Sequence, residues 1–193
     1  MLKTKIVALI LIATAVTITA MVPERSSSGA PASHTGAPGE QTCATTGCHD
    51  DNSVNSGSAK LNIDMGTTIA YVPNQTYTIK VKITDNSIER FGFQLVALVN
   101  TDTANSGTFQ ITDSYRTQMT HNKYQFNDRQ YVTYTFDGTD AVSTGIGEWE
   151  VNWVAPSSNV GPITFYAAAV SANDDGMDKG DYVYTVAKTI NAK

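Results

Sequence analysis

Most of this sequence is patterned for β-strands, and that pattern limits what the chain can fold into more than any other feature. In one segment Tyr77, Ile79 and Val81 alternate with polar residues, which is the two-residue period of a strand with one buried and one wet face. Further segments are apolar throughout, alternate in the same way, or are rich in aromatic and β-branched residues. They are residues 91–99, 131–136, 148–153, 163–170 and 182–190. No segment shows a convincing helical period, so the chain is predicted to be all-β.

Clusters of turn residues separate these segments. Examples are Asn105-Ser106-Gly107, Asp137-Gly138 and Asn173-Asp174-Asp175-Gly176, which combine the residue types that tight turns prefer. Several short strands divided by such turns are typical of an antiparallel β-sandwich of immunoglobulin-like shape. We expect this sandwich over residues 61–193, with both tryptophans in its core, because large aromatic side chains dominate core burial.

Residues 1–20 have the form of a secretory signal peptide. Lys3 and Lys5 precede an apolar run from Ile6 to Ala20 that ends in small residues. A membrane anchor is the alternative, but the run is shorter than the about 20 apolar residues of a span. We therefore expect cleavage near Ala20, a secreted, periplasmic or cell-surface location, and no membrane span in the mature chain. Residues 21–42 are rich in Ser, Gly, Ala and Pro and are predicted to be a flexible leader or linker.

Charge and residue types exclude several classes of function. The formal net charge is −5, and an acidic exported chain is a poor candidate for binding nucleic acid or anionic lipid. Three histidines provide little material for acid–base catalysis. The sequence has neither a nucleophile elbow nor a recognisable pair of catalytic carboxylates. The protein is therefore predicted not to be an enzyme.

Both cysteines lie in one segment, residues 43–60, as Cys43-Ala44-Thr45-Thr46-Gly47-Cys48-His49. The order is close to the Cys-x-x-Cys-His signature of covalent c-type haem attachment, although four residues separate the thiols. The insert is small throughout, and Gly47 can take a positive φ at little cost. A Cys43–Cys48 disulfide is the simplest interpretation in an oxidising compartment. A zinc site would need further ligands, for which His34 and His121 remain. From these residues alone, all three interpretations stay open.

Several short segments in combination resemble the Reelin-like (Reeler) domains, most closely the bacterial branch called choice-of-anchor V domains. The segments are residues 35–40, 90–95, 149–156, 161–168 and 180–184. The resemblance extends over about residues 28 to 190 and implies a single covalent haem c on Cys43, Cys48 and His49. Relatives often carry a histidine at the place of Tyr134, so this protein would use another group as the second iron ligand.

For that second ligand the sequence favours His121, which together with His49 would make a bis-histidine site. His121 lies in a polar stretch shortly before Tyr134. The other imidazole and thioether candidates are His34, Met65, Met119 and Met177. His34 is less favoured because ordering a flexible leader costs backbone entropy.

Two functions from different classes follow from these alternatives. The first is an exported haem c protein that carries electrons or haem outside the inner membrane and meets a redox partner protein. The second is a non-enzymatic adhesion or assembly module, clipped by a Cys43–Cys48 disulfide and able to self-associate. A separate hypothesis concerns the loop with Asp174, Asp175, Asp178 and Asp181, whose carboxylates are suited to calcium, although such residues are also ordinary in solvated turns.

Overall fold

The computed structural model describes residues 28–86 and 88–193. Its strands are β1 (Lys60–Asp64), β2 (Ala70–Tyr71), β3 (Thr76–Thr84), β4 (Arg90–Val99), β5 (Thr108–Ile111), β6 (Thr117–Thr120), β7 (Tyr131–Tyr134), β8 (Ile146–Val154), β9 (Ile163–Ala172) and β10 (Tyr182–Ala192). A single 3-10 turn at Asp137–Thr139 is the helical element of this described part. The predicted signal peptide and the first residues of the predicted leader lie outside the described residues.

The strands form two sheets packed face to face. One sheet has four strands in the order β1-β3-β8-β5, and the other has six in the order β2-β10-β9-β4-β7-β6. All pairings are antiparallel except that of β10 with the short β2, which is parallel. The all-β sandwich predicted from the sequence is confirmed. Within residues 28–86 and 88–193, no helix is long or apolar enough to cross a bilayer.

The alternating segments place their apolar residues between the sheets. Ile79 and Val81 of β3 are buried, while the polar residues between them lie on the outer face. Trp149 and Trp153 of β8 are buried as well, at 2% and 0% exposure. The Trp149 ring stacks on Phe93 at 4.3 Å between centroids. The prediction that both tryptophans lie in the core is confirmed.

The six-stranded sheet is covered on both faces, which explains why β4 is apolar almost throughout. Leu95 and Ala97 of β4 face the four-stranded sheet. Val96 and Leu98 face the other way and pack with Tyr131 and with two alanines of the segment that precedes the cysteines. We call residues 28–42 the N-terminal strap, because they lie along this outer face of the sheet.

The strap is held by hydrogen bonds, and here the structure differs from the expectation of a flexible leader. Gln94 is completely buried on the outer face. Its Oε1 accepts from the His34 backbone N–H at 2.8 Å, and its Nε2 donates to the Pro31 carbonyl at 2.9 Å. The Ala30 N–H donates to Thr133 Oγ1 at 3.1 Å. Small side chains let the strap approach the sheet closely, and a segment of this kind has no hydrophobic period that a sequence could show.

Candidate functional site

A buried ion pair locks the end of the strap and sets the path of the chain into the first cysteine. The Glu40 and Arg129 side chains are 0% and 3% exposed, and Arg129 Nη1 lies 2.5 Å from Glu40 Oε1. The same carboxylate accepts hydrogen bonds from the Tyr131 hydroxyl at 2.7 Å and from Thr35 Oγ1 at 2.5 Å. A buried charge needs such complete pairing. Because Glu40 is fixed, the path of the chain to Cys43, three residues later, is restricted as well.

The segment between the cysteines folds into a compact series of turns. The Cys48 N–H donates to the Thr45 carbonyl at 2.8 Å, and the His49 N–H donates back to the Cys43 carbonyl at 3.2 Å. Gly47 adopts φ +85°, with open space around the position of a Cβ. The insert therefore bulges outward at a glycine suited to positive φ. The backbone of Cys43 is brought next to that of His49.

The two thiols have different surroundings. Both are free, with Cys43 buried and Cys48 partly exposed. Cys43 packs against Ala168, Val170 and Val183 on the outer face of β9 and β10. Burial, with a smaller contribution from the charge of Cys48, raises the pKa of Cys43 to about 12. The pKa of Cys48 is raised in the same direction, mainly by burial.

The histidine of the motif is bound to a buried carboxylate. His49 Nδ1 lies 2.6 Å from Asp181 Oδ2, and the two side chains are 30% and 1% exposed. Asp181 also accepts the Asn173 N–H at 2.9 Å, and its backbone carbonyl accepts from Asn52 Nδ2 at 2.9 Å. Because a carboxylate oxygen is an acceptor, in the neutral imidazole Nδ1 of His49 carries the proton and Nε2 keeps its lone pair. This is the arrangement that orients metal-binding histidines in proteins.

Tyr134, at the end of β7, lies beside the two thiols. Burial raises its pKa above the ordinary range, and the charges of Cys43 and Cys48 raise it further. Its ring covers Gly92 so closely that a Cβ added there would lie 2.7 Å from Tyr134 Cε1. Tyr134 therefore lies next to the cysteine segment.

Comparison with known proteins identifies the family. The sequence model of the Reeler domain matches residues 41–175, well over half of the chain. This chain belongs to the Reeler domain family. Its fold is similar to the crystal structure of the human F-spondin reeler domain, with 22% identity, a TM-score of 0.51, and coverage of 73% of this chain and 93% of that one. A cohesin module from a Clostridium perfringens family 33 glycoside hydrolase is also similar, at 8% identity and a TM-score of 0.46, covering 71% and 96% of the two chains. No curated protein matches in sequence.

The Reeler sandwich separates His121 from Tyr134. In the β6–β7 pair, Thr117 is opposite Tyr134, whereas Thr120 is opposite Tyr131. His121 follows Thr120 and is exposed, so it lies four residues along the strand from Tyr134, or about 13 Å at about 3.3 Å per residue. Sequence proximity suggested that His121 reaches the Tyr134 end, but the antiparallel hairpin carries it to the opposite end.

The three methionines considered as second iron ligands lie in the core or in a loop. Met65 is buried at 5% exposure in the core of the Reeler sandwich, and Met119 packs against the same core. Met177 is 56% exposed in the loop between β9 and β10. Met65 and Met119 are therefore core residues, whereas Met177 belongs to the loop whose Lys179 contacts Asp50 of the cysteine segment.

The aspartates proposed for calcium are directed to several partners. Asp174 accepts from Arg90 Nε at 3.1 Å, whereas Asp181 binds His49. In the same loop, Lys179 Nζ lies 2.5 Å from Asp50 Oδ1 and thereby links the loop to the cysteine segment. Among the described residues, no three His, Cys, Asp or Glu side chains are grouped so that they could hold a metal ion. Calcium binding in this loop stays a prediction.

Sequence reasoning missed two features of this site. Asp181 stood out as a possible calcium ligand, whereas the structure makes it the partner of His49, 132 residues earlier. His34 was set aside as part of a flexible leader, whereas the structure orders it next to Cys43. The position of Asp181 in the family-like segment 180–184 was the one signal that could have drawn attention to it.

Proposed function

We propose that this Reeler domain is an exported protein that carries one covalently bound haem c and transfers electrons or carries haem outside the inner membrane. One observation carries the proposal: two free thiols and a histidine lie on one short loop, and Nδ1 of that histidine is held by a buried carboxylate. Such a carboxylate–histidine pair leaves Nε2 ready to bind a metal. A solvated loop histidine would not need a partner that is 1% exposed.

The residues of the loop suit the chemistry of haem c. Cys43 and Cys48 would form the two thioether bonds, and Nε2 of His49 would ligate the iron. The bound group would supply reversible one-electron transfer, which the side chains of this chain cannot supply by themselves. The carboxylate of Asp181 keeps the imidazole in the required tautomer and increases its basicity.

The rest of the sandwich would contribute rigidity and burial. The loop is anchored at one side by the Glu40–Arg129 pair and at the other by the contact of Lys179 with Asp50. The apolar side chains of β9 and β10 under Cys43 exclude water from that thiol. Burial and hydrogen bonding of this kind are the means by which a protein sets the reduction potential of its haem.

Family membership supports a location outside the cytoplasm and a role without catalysis. Reeler domains are extracellular, which agrees with the signal-peptide pattern of residues 1–20. We propose that the partner is either a redox protein or an extracellular assembly to which the domain delivers electrons. The acidic net charge of −5 favours a partner with a basic docking surface.

The test is export of the full chain from a host with cytochrome maturation machinery, followed by absorption spectroscopy and intact mass measurement. We expect a Soret band and a mass increased by one haem that survives denaturation. The Cys43→Ser/Cys48→Ser double variant is the matched control, and it should lose the covalent haem while keeping the fold.

The second candidate function, an adhesion or assembly module clipped by a disulfide, predicts a different result. The charge of Cys48 contributes to the raised pKa of Cys43, so the two thiols are close enough for a disulfide to need a direct test. A mature protein without a Soret band, lighter by the hydrogens lost on forming a Cys43–Cys48 bond, would refute haem attachment and establish the clip.

A further inference from the structure

His34 is ordered on both sides of its Cα, although it lies in a segment of linker-like composition. Its backbone N–H donates to Gln94 Oε1 at 2.8 Å, and its carbonyl accepts from the Cys43 thiol at 3.9 Å. Gln94 is itself completely buried in β4. His34 is therefore already ordered when the strap folds, so binding a ligand would carry no further cost of ordering its backbone. It is held next to the first cysteine.

The imidazole of His34 is also oriented. Its Nδ1 lies 2.9 Å from the Pro31 carbonyl oxygen and 3.1 Å from that of Ala32. Carbonyl oxygens only accept hydrogen bonds, so in the neutral imidazole Nδ1 carries the proton and Nε2 keeps its lone pair. A histidine that binds a metal through Nε2 has this tautomer, fixed by an acceptor at Nδ1.

The imidazoles of His34, which precedes Cys43, and of His49, which follows Cys48, are thus held in the same way. In each, Nδ1 is engaged by an oxygen acceptor of the chain. The His34 carbonyl contacts the Cys43 thiol, and His49 directly follows Cys48. The remaining histidine, His121, is exposed at the end of the β6–β7 hairpin away from Tyr134, where Nδ2 of the adjacent Asn122 donates to Ser33 Oγ at 3.1 Å.

We infer that His34, rather than His121, would be the second protein ligand of the haem iron, and that Gln94 is the residue that positions it. This inference rests on the proposed haem c function. It assigns a bis-histidine site, in which Nε2 of His49 and Nε2 of His34 would hold the iron. Imidazole pairs of this kind give low-spin iron and a lower potential than a histidine–methionine pair.

The experiment compares the haem-loaded His34→Ala variant with wild type and with His121→Ala as the matched control. We expect the ferric absorption and electron paramagnetic resonance spectra of His34→Ala to change from low-spin to high-spin, while the mass of the covalent haem is retained. Added imidazole should restore the low-spin spectrum, which a purely structural defect would not allow. His121→Ala should have the wild-type spectrum.

A low-spin spectrum in His34→Ala, or a high-spin one in His121→Ala, would overturn the assignment. A Tyr134→Phe variant tests whether the Tyr134 hydroxyl is the second iron ligand instead. A change of spin state in Tyr134→Phe, with none in His34→Ala, would assign that ligand to Tyr134. These results leave the haem in place, so they are distinct from failure of the proposed function. A wild-type protein without covalent haem would instead refute the proposed function and, with it, the role of His34.

Nitrogen-15 NMR of the imidazoles gives a second readout that needs no haem. In the haem-free Cys43→Ser/Cys48→Ser protein, at a pH where the imidazole is neutral, the His34 proton should lie on Nδ1. The Gln94→Leu variant removes the acceptor of the His34 N–H and should release this preference. A His34 proton found on Nε2 in the unsubstituted strap would contradict the orientation on which the assignment depends.

Discussion

Replacing Arg129 by methionine should destabilise the protein by about 3–5 kcal/mol, because it leaves a buried carboxylate without its charge partner. The Glu40 side chain is 0% exposed and Arg129 is 3% exposed, with Nη1 2.5 Å from Oε1. Water cannot replace the lost guanidinium at such a site unless the strap moves away from the sheet. The substitution therefore tests whether the strap is an integral part of the fold.

The magnitude can be worked out from the contacts of Arg129. A hydrogen bond to a charged group contributes about 1.5–3 kcal/mol. The charged guanidinium of Arg129 makes one such bond to Glu40, and its Nη2 donates a second to the Thr103 carbonyl at 3.1 Å. The guanidinium also lies 3.9 Å from the centroid of the Phe126 ring, a cation–π contact of about 1 kcal/mol. The sum is about 4–7 kcal/mol, and its lower part overlaps the value of about 3–5 kcal/mol for a broken buried ion pair.

Urea unfolding followed by tryptophan fluorescence measures this change, since both tryptophans are buried. At an m-value of about 2 kcal/mol/M, the midpoint should fall by about 1.5–2.5 M without a change in m. Lys80→Met is the matched control, because Lys80 makes an exposed pair with Glu148 at 3.0 Å. Solvent screens that pair, and its loss should shift the midpoint far less.

The Glu40→Leu/Arg129→Met double variant separates the cost of the unpaired charge from that of lost packing. It should recover part of the stability lost in Arg129→Met, since no charge stays buried. An Arg129→Met midpoint no lower than that of Lys80→Met would refute the reasoning. A double variant destabilised by the full sum of its single changes would refute it as well.

Three further predictions concern the cysteine segment. In the reduced, haem-free protein at pH 8, maleimide should label Cys48 before Cys43, because burial raises the pKa of Cys43 to about 12 and its thiolate forms only as the pH approaches that value; equal labelling in peptide mapping would contradict this. Asp181→Ala should cost about 1–3 kcal/mol in urea unfolding, since it leaves the part-buried Asn173 N–H and His49 Nδ1 without their acceptor, and Asp181→Asn should cost less. Gly47→Ala should cost about 1–2 kcal/mol by thermal unfolding through its positive φ alone, because a Cβ there meets no atom within 4 Å.

The sequence by itself determined the layers of the fold. Alternation in β3 and β8 reports which residues face the core, and this period is a local property of the chain. The apolar run of β4 likewise indicated a central strand, since both faces of such a strand are covered. Local patterns also marked Cys43, Cys48 and His49 as one chemical group.

The tertiary structure alone decided how that group is supported. The partner of His49 is Asp181, 132 residues away, and the partner of Glu40 is Arg129, 89 residues away. Such pairings depend on which strands become neighbours, and no residue spacing encodes them. The strap is the clearest case: its small residues have no period, so composition indicates a linker. Its order comes from the side chains of β4 and β7, which bind its backbone and hold His34 beside Cys43.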